Sequence, residues 1–298
     1  MPELKYIQMS SIVSWSNAGA GEILWLTEND GDYDVGKLNL NESVSRRCRE
    51  VPGLEAEMGH IPLISSAFKL ADSSAKCEFV VFMNTDIVVL PSFGAVLKSV
   101  VRSMSDVQRF LFIGHRLRLA IKPQDISQVV LTGSEQKMQE SFVVGAGQPN
   151  PHATDVFVWR RGSYQDVPIP PFLIGRNIWD LWLWSYAVRN WKTIQGGNVF
   201  FVFHPDHAKP HQNVAEYQSN IERANRDRSQ PVSCSNIDCA EYFLYAGKCR
   251  PVSSGPASWL GKQFCLRRKK EGARFPPPPE EKLPLSFFKF EKIGPQGQ

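Results

Sequence analysis

Phe79-Val-Val-Phe-Met-Asn-Thr-Asp-Ile-Val-Val-Leu90 is an apolar run of strand length that the polar triplet Asn84-Thr-Asp86 interrupts. A continuous apolar run of this kind is typical of a strand buried in a parallel sheet. Because an unpartnered buried carboxylate is costly, we expect Asp86 at the carboxyl end of the strand, where α/β sheets place their ligands. A metal ion that carries a nucleotide diphosphate would give this carboxylate a use. The alternative is a strand followed by an ordinary Asn/Asp turn.

Segments with helical and strand-like periodicity alternate around this run. The patterns predict helices over residues 10–17, 62–71, 93–104 and 177–190. They predict further strands over residues 22–27, 109–114, 155–159 and 198–203. Residues 121–150 are polar and punctuated by glycine and proline, which is typical of a loop or a helical excursion. The alternation predicts an α/β fold with a mostly parallel sheet flanked by helices.

The composition is that of an ordinary globular protein, since 42% of the 298 residues are hydrophobic and 21% are charged. The patterned part of the chain predicts a single domain over residues 1–251. Beyond it the periodicity fades, and the sequence contains a basic cluster, Arg267-Arg-Lys-Lys270, and a proline run, Pro276-Pro-Pro-Pro279. Residues 252–298 are therefore predicted to form a Pro-rich, basic, flexible tail.

The net charge and the hydropathy of the sequence argue against two kinds of partner, nucleic acids and membranes. The net charge is only +4 and the basic cluster is short, so we expect a solvated face there and no nucleic-acid partner. No apolar stretch reaches the roughly 18 residues that a bilayer span needs, so no membrane span is expected. The start, Met1-Pro-Glu-Leu-Lys5, lacks the layout of a signal peptide. The sequence as written predicts a cytoplasmic protein, with the secretory pathway as the alternative if further residues precede Met1.

A short polar element, His204-Pro-Asp-His207, follows the last predicted strand. A neutral imidazole there would complete the coordination of a metal ion or contact a diphosphate. The alternative is a polar loop with surface histidines.

The stretch Phe172-Leu-Ile-Gly-Arg-Asn-Ile-Trp-Asp180 leads into a tryptophan-rich helix. Asp180 falls in the first turn of that helix, where a carboxylate pairs with unsatisfied backbone N–H groups, so helix capping is one interpretation. The other is catalysis, because a carboxylate at a pocket mouth can deprotonate an acceptor hydroxyl. Trp179 is predicted as a core residue or as an apolar platform under a sugar ring. Arg176 is predicted to pair with Asp180 or to face a phosphate.

Several sequence blocks, taken in chain order, share the layout of a known group of enzymes. They are Gln8-Met-Ser-Ser-Ile-Val-Ser-Trp15, Glu22-Ile-Leu-Trp-Leu26, Asn84-Thr-Asp-Ile87, Phe110-Leu-Phe-Ile-Gly-His-Arg116, Asp155-Val-Phe-Val-Trp-Arg-Arg-Gly162, Ile169-Pro-Pro-Phe-Leu-Ile-Gly-Arg-Asn-Ile-Trp-Asp-Leu-Trp-Leu183 and the His-x-x-His element. In this order they resemble the nucleotide-diphospho-sugar transferases of the GT-A type, with Asn-x-Asp as a variant of the DxD signature. The likeness covers roughly residues 8–251.

The resemblance implies metal-dependent transfer of a sugar from a nucleoside-diphosphate donor to a hydroxyl acceptor, on a glycan or another molecule. Asp86 would hold a divalent cation, Mn²⁺ or Mg²⁺, on the diphosphate of the donor, with Asn84 beside it. A later metal ligand would come from His204 or His207.

The same resemblance implies roles for three further residues. Asp180 would be the base that activates the acceptor hydroxyl. Asp155 and Arg176 would line the donor or acceptor pocket.

Two departures from the family pattern define the alternative hypothesis. The family's opening strand, which helps to hold the nucleotide base, should precede Gln8, and because the sequence starts at Met1 we expect the sheet to lack that strand. The histidine element is His-Pro-Asp-His where the family has His-Gln-Asn-His. The alternative is therefore a catalytically inactive GT-A-like relative that binds a nucleotide or a glycan.

Overall fold

The computed structural model describes residues 2–29, 38, 40–145, 154–176, 178–196, 201–207, 213–226, 240–247, 258–259 and 262–268. Within these residues the helices are α1 (Pro2–Asn17), α2 (Glu42–Ser45), α3 (Ile64–Ser74), α4 (Phe93–Ser103), α5 (Pro123–Leu131), α6 (Glu135–Gly145), α7 (Trp179–Asn190) and α8 (Val214–Arg226). The strands are β1 (Ile23–Thr27), β2 (Cys48–Pro52), β3 (Ala56–Glu57), β4 (Ile61–Pro62), β5 (Phe79–Met83), β6 (Phe110–Leu119), β7 (Thr154–Arg160), β8 (Lys192–Gln195), β9 (Phe201–Pro205), β10 (Tyr242–Gly247), β11 (Ser258–Trp259) and β12 (Lys262–Arg268). This mixture of helices and strands confirms the predicted α/β class.

The main sheet contains eight of the described strands, in the order β11-β12-β10-β8-β6-β7-β5, with β9 also paired to β6. Along one edge of β6, β8 pairs with residues 110–113 and β9 pairs with residues 115–119. The other edge of β6 is covered by β7, which runs antiparallel to both β6 and β5. As a result β5 and β6 point the same way and end at the same edge of the sheet.

The sheet is mixed rather than mostly parallel, which corrects the prediction made from the sequence. Among the described strands, four neighbouring pairs are antiparallel and three are parallel. The reason is that β7 returns between β5 and β6, while β12 folds back on β10. Apolar periodicity reports that a strand is buried and says nothing about its direction.

Smaller elements surround this sheet. β1 pairs in parallel with β2, and β3 pairs antiparallel with β4. Residues 2–7, which precede Gln8, belong to α1, and the excursion predicted over residues 121–150 contains α5 and α6. β11 and β12 lie within the segment predicted as a tail and extend the sheet, while residues 269–298 lie outside the described part of the chain. No described helix combines the length and apolarity that a bilayer crossing requires.

An aromatic cluster joins β7 to α3. Phe68 of α3 stacks on Trp159 of β7 with ring centroids 4.7 Å apart, and Tyr164 meets both rings edge-on. The indole N–H of Trp159 donates to the buried carboxylate of Asp72, which also accepts from the backbone N–H groups of Gly162 and Tyr164. A buried carboxylate with three donors is fully satisfied, so it fixes the end of β7 against the helix.

Helix α8 holds the segment that leads into α7 through a ladder of polar contacts. The side chain of the buried Asn220 exchanges two hydrogen bonds with the backbone of Leu173, at 2.8 and 3.0 Å. One turn earlier on α8, Glu216 pairs with Arg176. One turn later, Arg223 donates to a backbone carbonyl two residues before Leu173. The ladder fixes the path of the chain just before Asp180.

The substitution Asn220→Ala tests this ladder. It leaves the buried N–H and C=O groups of Leu173 without their side-chain partner, so we expect the free energy of unfolding to fall by about 2–4 kcal/mol. Urea unfolding followed by circular dichroism measures the change. The matched control is Asn190→Ala, because this exposed asparagine makes one hydrogen bond, to the Tyr186 carbonyl. Equal losses in the two variants would show that the ladder contributes no special stability.

Candidate metal centre

The turn after β5 carries the polar residues Asn84, Thr85 and Asp86. The backbone N–H of Ile87 donates to the Asn84 carbonyl at 3.1 Å and closes the turn. β5 itself ends at Met83. Asp86 therefore lies just beyond the carboxyl end of the strand, as the sequence predicted.

The residues that follow the turn are fixed from two sides. Val88 forms an isolated antiparallel bridge with Phe203 of β9, through two backbone hydrogen bonds of 2.8 Å each. From α1, the indole N–H of Trp15 donates to the Ile87 carbonyl at 2.8 Å, and the Ser14 hydroxyl accepts from the backbone N–H that follows Val88. These contacts hold the turn that carries Asp86 against β9.

β9 and the residues after it supply two imidazoles. His204 lies within β9, and His207 lies two residues past its end. The intervening Asp206 is tied to β6, because its N–H donates to the Leu119 carbonyl and its carboxylate pairs with Arg118. This connection bends the chain so that both histidines face the turn after β5.

Asp86, His204 and His207 converge as the predicted metal ligands. The Asp86 Oδ2 atom is 3.2 Å from His204 Nε2 and 3.1 Å from His207 Nε2. The three ligand atoms all lie within 4.8 Å of one another, and the two imidazole rings stack with centroids 5.4 Å apart. Two imidazole nitrogens and one carboxylate oxygen in this arrangement form a candidate site for a metal ion.

The chemistry of the Asp86 carboxylate fits a cation. Burial raises the pKa of Asp86, but hydrogen bonds from His204 and His207 outweigh that effect and hold the pKa well below its ordinary value. The carboxylate is therefore ionised. Its second oxygen, Oδ1, is buried and has no hydrogen-bond partner among the described residues. A buried, charged oxygen without a partner is an atom that a metal ion would satisfy.

A β-bulge brings a second carboxylate to the same edge of the sheet. The register between β6 and β7 pairs Gly114 with Val156 and His115 with Thr154, which leaves Asp155 as the extra residue. A bulge of this kind redirects the side chain of the unpaired residue. Asp155 is one of the residues predicted to line a substrate pocket.

The Asp155 carboxylate contacts the turn after β5 and the strand β6. Asn84 Nδ2 donates to Oδ1 at 3.4 Å, and Arg116 Nη1 donates to Oδ2 at 2.9 Å. Burial raises the pKa of Asp155, although the positive charge of Arg116 opposes the shift. The structure thus brings two predicted substrate residues, Asn84 and Asp155, into contact beside the candidate metal ligands.

Asp180 lies in the first turn of α7, and its Oδ1 atom accepts from the backbone N–H of Leu181 at 2.9 Å. Burial raises the pKa of Asp180 to about 6; the Leu181 N–H opposes the shift and the nearby charge of Asp155 adds to it. A carboxyl group with a pKa in this range exchanges protons readily near neutral pH. The capping contact and a role in proton transfer are therefore compatible.

Two other predicted site residues have partners elsewhere. The Arg176 guanidinium pairs with Glu216, with Nη2 and Oε2 2.5 Å apart, and not with Asp180, which was one of the two partners considered for it. Trp179 is only 5% exposed, and its ring packs on Phe157 with centroids 5.2 Å apart. Of the two positions predicted for Trp179, the structure favours the core.

Arg116 closes one of the blocks that carry the resemblance, but the sequence analysis assigned it no role. Arg116 and Arg118 alternate with the buried Leu117 and Leu119, which is the pattern of a strand with one polar face. The pattern does not identify a partner, because the bulge that brings Asp155 to Arg116 appears only when the strands pair.

Asp86→Ala should remove the metal site. We expect the wild-type protein to bind Mn²⁺ and the variant to bind it roughly 100-fold more weakly or worse, since even residues that only orient metal ligands contribute about 10- to 100-fold. Isothermal titration calorimetry measures the affinity. His60→Ala is the matched control, because this exposed histidine also pairs with a carboxylate, that of Glu28. Unchanged Mn²⁺ affinity in Asp86→Ala would rule out the site.

Asp180→Asn should stabilise the protein in a pH-dependent way. Because the folded-state pKa is about 6 against an ordinary 3.8, ionised Asp180 destabilises the fold increasingly as the pH rises through this window. Asparagine keeps an acceptor for the Leu181 N–H and does not ionise. We expect equal stability near pH 4 and a gain of roughly 3 kcal/mol at pH 8, at about 1.36 kcal/mol per pKa unit.

Urea unfolding of the wild type and Asp180→Asn at both pH values measures this difference. Asp166→Asn is the control, because the pKa of this exposed carboxyl is lowered by Arg109 and no gain should follow its removal. A gain in Asp180→Asn that is the same at pH 4 and pH 8 would contradict the raised pKa.

Comparisons with known proteins identify no relative of this chain. No protein-family model matches it, no curated protein matches its sequence, and no solved structure matches its fold. The chemistry of the site itself must therefore support any assignment of function.

Proposed function

We propose that this chain is a metal-dependent glycosyltransferase of the GT-A type, which transfers a sugar from a nucleoside-diphosphate donor to a hydroxyl acceptor. The observation that carries the proposal is the convergence of Asp86, His204 and His207 at the carboxyl end of β5. Asp180 is linked to this cluster through Asp155, because the charge of Asp155 acts on Asp180 and the charge of Asp86 acts on Asp155. A cation site beside a carboxyl that can accept a proton is the combination that transfer from a diphosphate requires.

The GT-A assignment has two supports. One is the order of the sequence blocks from Gln8 to His207, which resembles that group of transferases. The other is the position of the site, since ligands of α/β sheets bind beyond the carboxyl ends of the strands. Fold and position alone do not specify chemistry, so the donor set has to be weighed separately.

The donor set favours Mn²⁺ over Mg²⁺. Mg²⁺ is a hard ion that takes oxygen ligands in near-ideal octahedral geometry, whereas two of the three protein ligands here are imidazole nitrogens. Oxygen atoms of a diphosphate would complete the coordination of Mn²⁺. The cofactor expected on these grounds is a divalent cation, with Mn²⁺ preferred.

The residues of the chain divide the chemistry between them. Asp86, His204 and His207 would hold the divalent cation, which when bound offsets the charge that develops on the leaving nucleoside diphosphate. Asp180 would accept the proton of the acceptor hydroxyl. The acceptor oxygen then bonds to the anomeric carbon, and the bond from that carbon to the phosphate oxygen breaks, with its electron pair leaving on the diphosphate.

One observation favours the alternative, a catalytically inactive relative that binds a nucleotide or glycan. Both histidines already contact the Asp86 carboxylate, so the three side chains also form a network of polar contacts without a metal ion. Structural networks of this kind also shift pKa values without any catalytic role. Turnover measurements separate the two functions.

Turnover of UDP- and GDP-sugars with Mn²⁺ is the direct test of the proposed function. We expect Asp86→Ala to be inactive within detection and Asp180→Asn to lose about 10²- to 10⁴-fold in kcat, the usual contribution of a general base. The control Asp166→Asn should keep full activity, since Asp166 is exposed and pairs with Arg109. Turnover that survives Asp86→Ala would exclude the metal mechanism. A wild-type protein that binds Mn²⁺ and a nucleotide without turnover would establish the inactive alternative.

A further inference from the structure

Arg116 has one fixed anchor, and its side chain is partly exposed. Its Nη1 atom donates to Asp155 Oδ2 at 2.9 Å, and its side chain is 31% exposed. No other polar partner of the guanidinium lies among the described residues. An arginine carries several N–H donors in a planar fork, so most of the donors of Arg116 do not contact Asp155 and can bind a ligand.

Electrostatic interactions connect the Arg116 guanidinium, through Asp155, to the candidate metal ligands and to the candidate base. The charges of His204 and Asp86 act on Asp155, the direct partner of Arg116. The charges of Asp155 and Arg116 act in turn on Asp180. These five side chains therefore belong to a single electrostatic cluster at one edge of the sheet.

The neighbouring arginines are engaged differently. Arg118, two residues along the same strand, pairs with Asp206 and is 75% exposed. Arg176 is 12% exposed and pairs with Glu216 on α8. Among the described arginines near the site, Arg116 alone combines a fixed anchor, partial exposure and a place inside the carboxylate cluster.

The chemistry of this cluster calls for an anion with a bound cation. Asp86, Asp155 and Asp180 supply negative charge that a divalent cation would offset. A diphosphate that came with the cation would carry oxygens beyond those that the cation coordinates. A guanidinium recognises such oxygens well, because its fork matches phosphate geometry and its charge is permanent.

We propose that Arg116 binds the diphosphate of the nucleotide-sugar donor directly and that Asp155 is a positioning residue, which holds the guanidinium in place rather than touching the substrate. The inference rests on the proposed function, since the diphosphate is the ligand expected at the metal centre. It revises the role that the sequence predicted for Asp155 and adds a donor contact that the sequence did not indicate.

Binding of UDP, GDP and inorganic pyrophosphate, measured by calorimetry in Mn²⁺ and again in EDTA, tests the proposal. We expect Arg116→Gln to weaken binding by about 10- to 100-fold in both conditions, the range of a hydrogen bond between charged groups. Arg116→Lys keeps the positive charge but lacks the planar fork of donors, so its affinity should lie between those of the wild type and Arg116→Gln. The matched control is Arg109→Gln, because Arg109 sits at the other end of the same strand and also pairs with a carboxylate, that of Asp166.

A double-mutant cycle tests the role of Asp155. If Asp155 positions Arg116, then Asp155→Asn weakens pyrophosphate binding in the wild-type background and not in Arg116→Gln. If Asp155 acts only through its charge, the loss of that charge strengthens binding of the anion in both backgrounds.

The outcomes distinguish this inference from the proposed function. If Arg116→Gln binds every probe as tightly as the wild type while Asp86→Ala loses Mn²⁺-dependent binding, the role proposed for Arg116 is wrong. The proposed function is unaffected by that result. If pyrophosphate binding depends on Arg116 and neither nucleotide binds, the contact with an anion is supported. A nucleotide-sugar donor is then excluded. A wild-type protein that binds none of the three probes overturns both. Loss of thermal stability in Arg116→Gln with unchanged affinity would identify the ion pair as structural.

Discussion

The backbone bridge between Val88 and Phe203 is the constraint on which the site depends. β9 is paired with β6 on one side, and the bridge joins its other side to the residues after Asp86. One partner of the bridge thus leads back to the carboxylate, and the other leads on to His204. Trp15 secures the same segment from α1. Backbone hydrogen bonds, rather than contacts among the three side chains themselves, bring the candidate metal ligands together.

The reversed direction of β7 adds the second half of the site. Because β7 runs against β5 and β6, its first residues lie at the edge where those two strands end. Asp155 consequently meets Asn84 and Arg116 there, with Asp180 at the start of α7 nearby. Three carboxylates at one buried edge are unfavourable on their own, and the raised pKa values of Asp155 and Asp180 express that cost. A fold that tolerates such a cluster is typical of a functional site rather than of a stabilising one.

The sequence specified the candidate metal ligands better than their surroundings. Asp86 could be predicted because a carboxylate that interrupts a buried apolar run is expected at the end of the strand. The histidines could be predicted because they lie at the end of another predicted strand. The pairing of Arg116 with Asp155 could not be predicted, since it depends on a one-residue shift in register that no local pattern reports. The pairing of Arg176 with Glu216 could not be predicted for a similar reason. It joins a loop to α8, and α8 is a polar helix that the sequence pattern did not predict. Long-range contacts of this type follow from topology and not from composition.

Asp155 is the extra residue at the bulge opposite Gly114 and His115, so the candidate site can be lost in evolution without loss of the sheet. Loss of the single codon for Asp155 would let those two residues pair with neighbouring positions of β7, and the ladder would become regular. The side chains of residues 156–160 would stay on the same faces of the sheet, so the packing of the core around β7 would be unchanged. Arg116 would lose its anchor at the same moment. A lineage could in this way lose the contact between Asp155 and Arg116 in one genetic step while the described strands of the sheet remained intact.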